Sequence, residues 1–151
     1  MTDAERIDRI WNERARAMTV IHLTRRQDLA LEPGPRKSGL DMLLRWQRGD
    51  DDSTTLLGVL IRWAADPVPP EEAQRLAGDL SAVPGAGLPS LALFFTQLQD
   101  RAYLAWLDEP AGAGLVRHAR PAFVPFTQEL LAGMVDRAAA WHDARRPVAV
   151  A

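Results

Sequence analysis

Apolar positions follow two different periods along this chain, and the switches between them set the predicted elements. From Asp3 to Met18 the residues Ile7, Ile10, Trp11, Ala15 and Met18 recur at helical spacing, with Arg6, Arg9, Glu13 and Arg16 on the other side. This is the pattern of a helix lying on a core with a solvated outer face, and Asp3 can cap its start. Thr19 to Thr24 is a β-branched run and reads as a short strand centred on Val20–Leu23. After the polar run Arg25-Arg26-Gln27-Asp28, Leu29-Ala30-Leu31 is expected to return as a second short strand, and Pro33, Gly34 and Pro35 mark a loop.

The strongest pattern is a pair of apolar runs, Leu40–Trp46 and Leu56–Trp63, which predicts two neighbouring buried strands. Their connector, 47–53, holds Gly49 and the acids Asp50, Asp51 and Asp52, which lack calcium-loop spacing and read as a solvated turn. Prolines from Pro67 to Pro70 break the chain before a helix over 71–82, whose first turn carries the acids that its dipole favours. Leu91–Phe95 and Ala102–Leu107 read as the next two strands, joined by a turn at 99–101, with Asp108-Glu109-Pro110 ending the second. Residues 112–121 read as a loop, with a brief strand at Leu115–Arg117 as the alternative. A long helix follows over 126–142, with Phe126, Leu130, Leu131, Met134, Val135, Ala138 and Trp141 on one stripe.

This order predicts an α/β fold, a single mixed β-sheet flanked by helices. The sheet is expected to hold Val20–Leu23, Leu40–Trp46, Leu56–Trp63, Leu91–Phe95 and Tyr103–Leu107. Residues 1–144 form one domain and 145–151 a disordered tail.

Composition narrows the chemistry. The 151 residues are 47% hydrophobic and 25% charged, ordinary for a globular domain. A net charge of −2 argues against strong non-specific attraction to nucleic acid or anionic membrane. The absence of cysteine excludes disulfides, thiolate metal sites and cysteine nucleophiles. With no apolar leader and no run of transmembrane length, the expected location is the cytoplasm. All basic residues but Lys37 are Arg, which, with the high Ala content, reads as the codon bias of a GC-rich bacterial genome.

Familiar catalytic patterns do not occur. Gly85-Ala86-Gly87 is not followed by the helix that a phosphate loop needs. His22, His118 and His142 stand singly and read as structural or exposed residues. No Ser or Thr sits in a nucleophile elbow. The tryptophans are spread over separate elements and read as core and rim.

What remains is Asp41, at the start of the first apolar run, and Leu60-Ile61-Arg62, near the end of the second. A phosphodiesterase needs divalent cations to polarise phosphate and activate water, and two carboxylates on adjacent strands with a lysine beside the second can supply the site. Asp41 is placed for the first carboxylate. Leu60 offers no oxygen to a hard cation, and Arg62 is a poor substitute for lysine. Asp41 is therefore expected to pair with a local Arg such as Arg62.

Gly39-Leu40-Asp41, Pro89-Ser90-Leu91-Ala92-Leu93-Phe94-Phe95 and Tyr103-Leu104-Ala105-Trp106 together resemble the PD-(D/E)XK nuclease superfamily, and within it the bacterial domain-of-unknown-function family 4365. Members read as an opening helix, a hairpin, a Gly-Ile-Asp-like strand, a strand ending in Gln-x-Lys, a helix, a Pro-x-aliphatic strand and a Tyr-x-x-Trp strand. The resemblance implies a restriction-endonuclease-like core and a role in DNA processing or defence against foreign DNA. The family's Gln-x-Lys falls on Leu60-Ile61-Arg62, and both functional positions depart from it.

The function expected from this is a catalytically inactive nuclease-fold protein, with Asp41, Leu60 and Arg62 as vestigial positions. It needs no cofactor, and its partner is a second copy or a protein encoded nearby. Self-association is expected because Trp11, Trp63, Trp106 and Trp141 exceed what a core of this size encloses. One alternative is an atypical Mg²⁺-dependent nuclease using Asp41, Glu13 or Asp28, and Arg62. The other is a non-cleaving nucleic-acid-binding module using Arg25, Arg26, Arg36, Lys37, Arg45 and Arg48.

Overall fold

The computed structural model describes residues 2–47, 54–65, 68–98 and 101–145. Its elements run α1 (Asp3–Leu23), β1 (Leu29–Pro33), β2 (Met42–Gln47), β3 (Thr54–Ala64), α2 (Pro70–Ser81), β4 (Ser90–Thr96), β5 (Ala102–Ala111), β6 (Gly114–Arg117), β7 (Val124–Pro125) and α3 (Gln128–Ala144). Arg48, the acids Asp50, Asp51 and Asp52, Pro67, most of the turn at 99–101 and the tail after Arg145 lie outside the described residues.

All the strands join one mixed sheet, ordered β1-β2-β3-β4-β5-β6, with β7 also pairing β5. The β3–β4 pair is parallel, with α2 in the connection between them, and every other pair is antiparallel. The fold is therefore the α/β class expected from the order of apolar runs.

Strand alternation divides the interior into two layers. Leu44, Leu57, Val59, Ile61, Leu91, Leu93 and Phe95 face α1 and α3, meeting Ala15, Leu23, Leu131, Val135 and Ala138. Leu43, Leu60, Ala64, Ala92, Phe94 and Leu107 face the other way, meeting Leu76 and Leu80 of α2. Every residue of β4 is buried, which is why its sequence carries no alternation.

Three expectations are corrected. Thr2, not Asp3, caps α1: its hydroxyl accepts from the Glu5 N–H at 3.1 Å, and the Glu5 carboxylate accepts from the Thr2 N–H at 2.9 Å. Val20–Leu23 is the last turn of α1 rather than a strand. The helix penalty of β-branched residues is a few tenths of a kcal/mol each. Here it is outweighed by burial of Thr19 and Leu23, both 0% exposed, and the Thr19 hydroxyl donates to the Ala15 carbonyl at 2.8 Å. Asp108-Glu109-Pro110 does not end β5, which continues to Ala111 and pairs with β6. Both acids are held there by hydrogen-bonded side chains. Asp108 makes a two-pronged pair with Arg117 at 2.6 and 2.8 Å, and Glu109 meets Arg137 at 2.8 Å and His118 at 2.7 Å.

Glu109 gives the fold a pH dependence. Hydrogen bonding from Arg137, then from His118, holds its carboxyl below the ordinary glutamate value of 4.5. Folding thus favours the ionised form. The resulting stability is present above that value and is lost as pH falls through the folded-state value. Thermal melts on either side of it should show a steeper acid loss for the parent than for Glu109→Gln. Equal slopes would remove Glu109 from the acid transition.

Candidate functional site

The backbone around Asp41 is fixed before its side chain acts. The Asp41 N–H donates to the Val59 carbonyl at 3.0 Å, and the Asp41 carbonyl accepts from Gly34 at 3.2 Å. Gly34 is required there, because a Cβ at that position would lie 2.2 Å from the Leu40 carbonyl oxygen. The loop is thereby folded back against the start of β2, and the carboxylate is aimed at β3.

Three N–H groups converge on that carboxylate. Oδ2 accepts from the Ile61 backbone at 2.8 Å and from Arg62 Nη1 at 3.1 Å, and Oδ1 accepts from Arg16 Nη1 at 3.4 Å. Arg62 Nη1 also donates to the Ile61 carbonyl at 2.8 Å, and Arg16 Nη2 to the Asp41 carbonyl at 3.4 Å. Arg16 comes from α1, which sequence spacing alone did not connect to Asp41. The side chains of Asp41 and Arg62 are 26% and 27% exposed, so the pair is neither fully solvated nor sealed.

Around it lies a polar cleft of about 390 Å³, lined by Asp8, Asn12 and Arg16 of α1, Arg62 and Trp63 of β3, and Arg75 and Asp79 of α2. Its charges are largely matched. Arg75 meets Asp79 at 3.1 Å, while Asp8 accepts from Asn12 and from the Trp63 indole, both at 3.0 Å. Among the described residues no three His, Asp or Glu side chains are grouped so as to hold a metal ion.

Leu60 departs from the cleft. It is 0% exposed and belongs to the layer under α2. The divalent cation that the resemblance implies does not fit these residues, since Asp41 is answered by two guanidiniums, Asp79 by Arg75, Asp8 by Asn12 and the Trp63 indole, and Leu60 is a sealed aliphatic side chain. Removing the carboxylate should cost stability through the three donors it leaves without their acceptor. Asp41→Ala is expected to lower the unfolding free energy by about 2 kcal/mol, read from a denaturant midpoint. A midpoint equal to the parent's would mean that water replaces these bonds at no loss.

The other proposed acids are elsewhere. Glu13 is exposed and pairs with Arg9 at 3.2 Å. Asp28 lies at the opposite end of the β1–β2 pair, where Arg26 at 2.7 Å and the Trp46 indole at 2.8 Å engage it. Hydrogen bonding from Arg26 holds the Asp28 carboxyl below its usual range, and the same contact raises Arg26.

The expected cation cluster is divided as well. Arg25 and Arg26 precede β1, whereas Arg36 and Lys37 follow it. Arg45, between them, meets Glu32 at 2.7 Å. Adjacency in sequence became separation along a strand.

The histidines are tied to the fold. His22 bonds the Met18 carbonyl at 2.8 Å and meets the edges of Phe95 and Phe126, and His142 Nε2 lies 2.8 Å from the Leu56 carbonyl. The tryptophans do not form the surface excess expected of them. Trp141 is 5% exposed, and Trp11, Trp46, Trp63 and Trp106 are half-buried. Arginines lie over four of the rings: Arg14 on Trp11, Arg26 on Trp46, Arg137 on Trp106 and Arg145 on Trp141. Exposed large apolar side chains cluster instead on α1, where Ile7, Ile10 and Ile21 are 51%, 55% and 52% exposed, with Leu98, Val116 and Val124 exposed elsewhere.

No helix among the described residues is long and apolar enough to cross a membrane. No family model, curated protein or solved structure matches the chain.

Proposed function

We propose that this chain is a nuclease-like scaffold that does not cleave and that works as an assembly module, pairing with a second copy through the outer face of α1. The observation that carries the first half is the state of Asp41, whose carboxylate already receives three N–H donors, two of them from guanidiniums. A carboxylate so engaged, between fixed positive charges, is a poor ligand for a hard cation. The order of helix, antiparallel strands, crossover helix and two further strands supports the PD-(D/E)XK resemblance. By that resemblance the setting is the bacterial cytoplasm and defence against foreign DNA.

The second half rests on the isoleucine stripe. Positions 7, 10, 14, 17 and 21 repeat with steps of three and four, the spacing that seats one helix on another. All five are exposed. In an antiparallel pair Ile7 meets the partner's Ile21, and Ile10 meets the partner's Ala17. Arg14 lies over the Trp11 ring, 5.9 Å from its centroid, which draws its charge to the side of the seam. The other exposed edges are poor docking strips: β1 ends at Pro33, and β6 and β7 have only four and two residues.

Incubation with DNA and RNA in Mg²⁺ or Mn²⁺ should leave both intact. Cleavage that disappears in Asp41→Ala would refute the non-cleaving reading. Light scattering at micromolar concentration should give twice the chain mass, and Ile10→Ser with Ile21→Ser should give the single mass with the circular dichroism of the parent and a melting temperature that no longer depends on concentration. A strictly monomeric parent would refute the assembly reading, and salt-sensitive DNA binding by that monomer would favour the nucleic-acid module.

A further inference from the structure

A second, larger cavity lies on the α2 side of the sheet, away from Asp41. It has a volume of about 770 Å³ and runs between α2 and the segment that leads from β6 to β7. Its floor is aromatic and preformed: Phe94 stacks on Tyr103 at 4.7 Å and meets the edge of Phe123 at 4.7 Å. The volume falls within the range of small-molecule sites, about 300–1,000 Å³.

Two features of this groove bear on what it can hold. Its wall includes Gly78 in the interior of α2, where an added Cβ would meet no atom within 4 Å. Among the described residues its one ionisable lining residue is Arg120, which is exposed and meets no carboxylate there. The guanidiniums of the Asp41 cleft differ in this respect, since Arg16, Arg62 and Arg75 each meet an acid.

We infer that this groove binds a small organic acid with an apolar body, its carboxylate at Arg120 and its hydrocarbon over Phe94 and Phe123. Charge complementarity sets the class. A single unpaired cation at the mouth of an apolar groove favours a monoanion over a neutral or cationic amphiphile, and the uncharged Gln74 and Ser81 leave that preference unopposed. The inference is independent of the nuclease-like reading and of the α1 interface.

Calorimetric titration with sodium decanoate tests it, with decylammonium chloride as the cationic counterpart. Decanoate should bind with one-site stoichiometry and decylammonium should not. Arg120→Gln should weaken decanoate by about tenfold. Gly78→Trp, which fills the groove, should abolish binding with the fold retained, and Arg101→Gln should leave it unchanged. No decanoate binding, equal binding of acid and amine, or full affinity in either Arg120→Gln or a folded Gly78→Trp would overturn the proposal. Should Gly78→Trp fail to fold, Arg120→Gln against Arg101→Gln decides alone.

Discussion

Leu60→Glu is expected to destabilise the protein by at least about 4 kcal/mol rather than rebuild a cation site beside Asp41. In sequence the change restores an oxygen-bearing side chain to the position where the resemblance implies the family's functional motif. In the fold that position is sealed: Leu60 is 0% exposed and packs with Leu43, Ala64, Leu76, Leu80 and Phe94. The substitution removes a buried leucine, worth about 2–5 kcal/mol as Leu→Ala, and leaves a carboxylate in its place. Against a total stability of about 5–15 kcal/mol, a large unfolded fraction is expected at room temperature. Urea titration of Leu60→Ala and Leu60→Glu followed by circular dichroism separates the two contributions. A Leu60→Glu protein as stable as the parent would mean that the position opens to the cleft.

How much of this was legible in the sequence depends on what each signal encodes. The apolar runs at 56–61 and 91–95 announced strands covered on both sides, and both are central in the sheet. For the same reason they hid which residue faces which helix. When every position is apolar, alternation carries no information, and Leu60 could not be assigned to a layer. Val20–Leu23 was misread because local β-branching is a weak preference, and the burial that overrides it comes from strands far along the chain. β7 gave no signal, being two residues, Val124 and Pro125, with no alternation to detect.

The charged residues divide in a similar way. Asp41 with Arg62 was readable because Asp41 opens the run that forms β2 and Arg62 lies near the end of the neighbouring β3. Arg16 was not, since its reach to Asp41 depends on how α1 crosses the sheet. The N-terminal cations looked like one surface in sequence, but β1 places them at its two ends. The tryptophan count overstated the apolar surface, because arginines from the chain itself cover four of the five rings. The exposed isoleucines of α1 lay within a stripe read as core-facing. That stripe is wide, and only Trp11, Ala15 and Met18 of its members turn inward.

Arg117→Ala is expected to cost about 4 kcal/mol, more than the loss of any pair in the polar cleft. Asp108 has a side chain only 8% exposed, and both of its oxygens are taken by Arg117, at 2.6 Å from Nε and 2.8 Å from Nη2. The same guanidinium reaches the Val83 carbonyl at 2.6 Å and ties the chain just beyond α2 to the sheet edge. Truncating it strands a carboxylate in the interior and frees that loop together. Removal of both partners should therefore hurt less than removal of the arginine alone. Asp108→Ala combined with Arg117→Ala is expected to recover part of the loss, because no buried charge is left uncompensated. Denaturant midpoints for the two single variants and the double variant measure the coupling. A double variant less stable than Arg117→Ala by the full cost of Asp108→Ala would show that the two residues act independently, and the pair would then have no part in holding β5 and β6 together past Pro110.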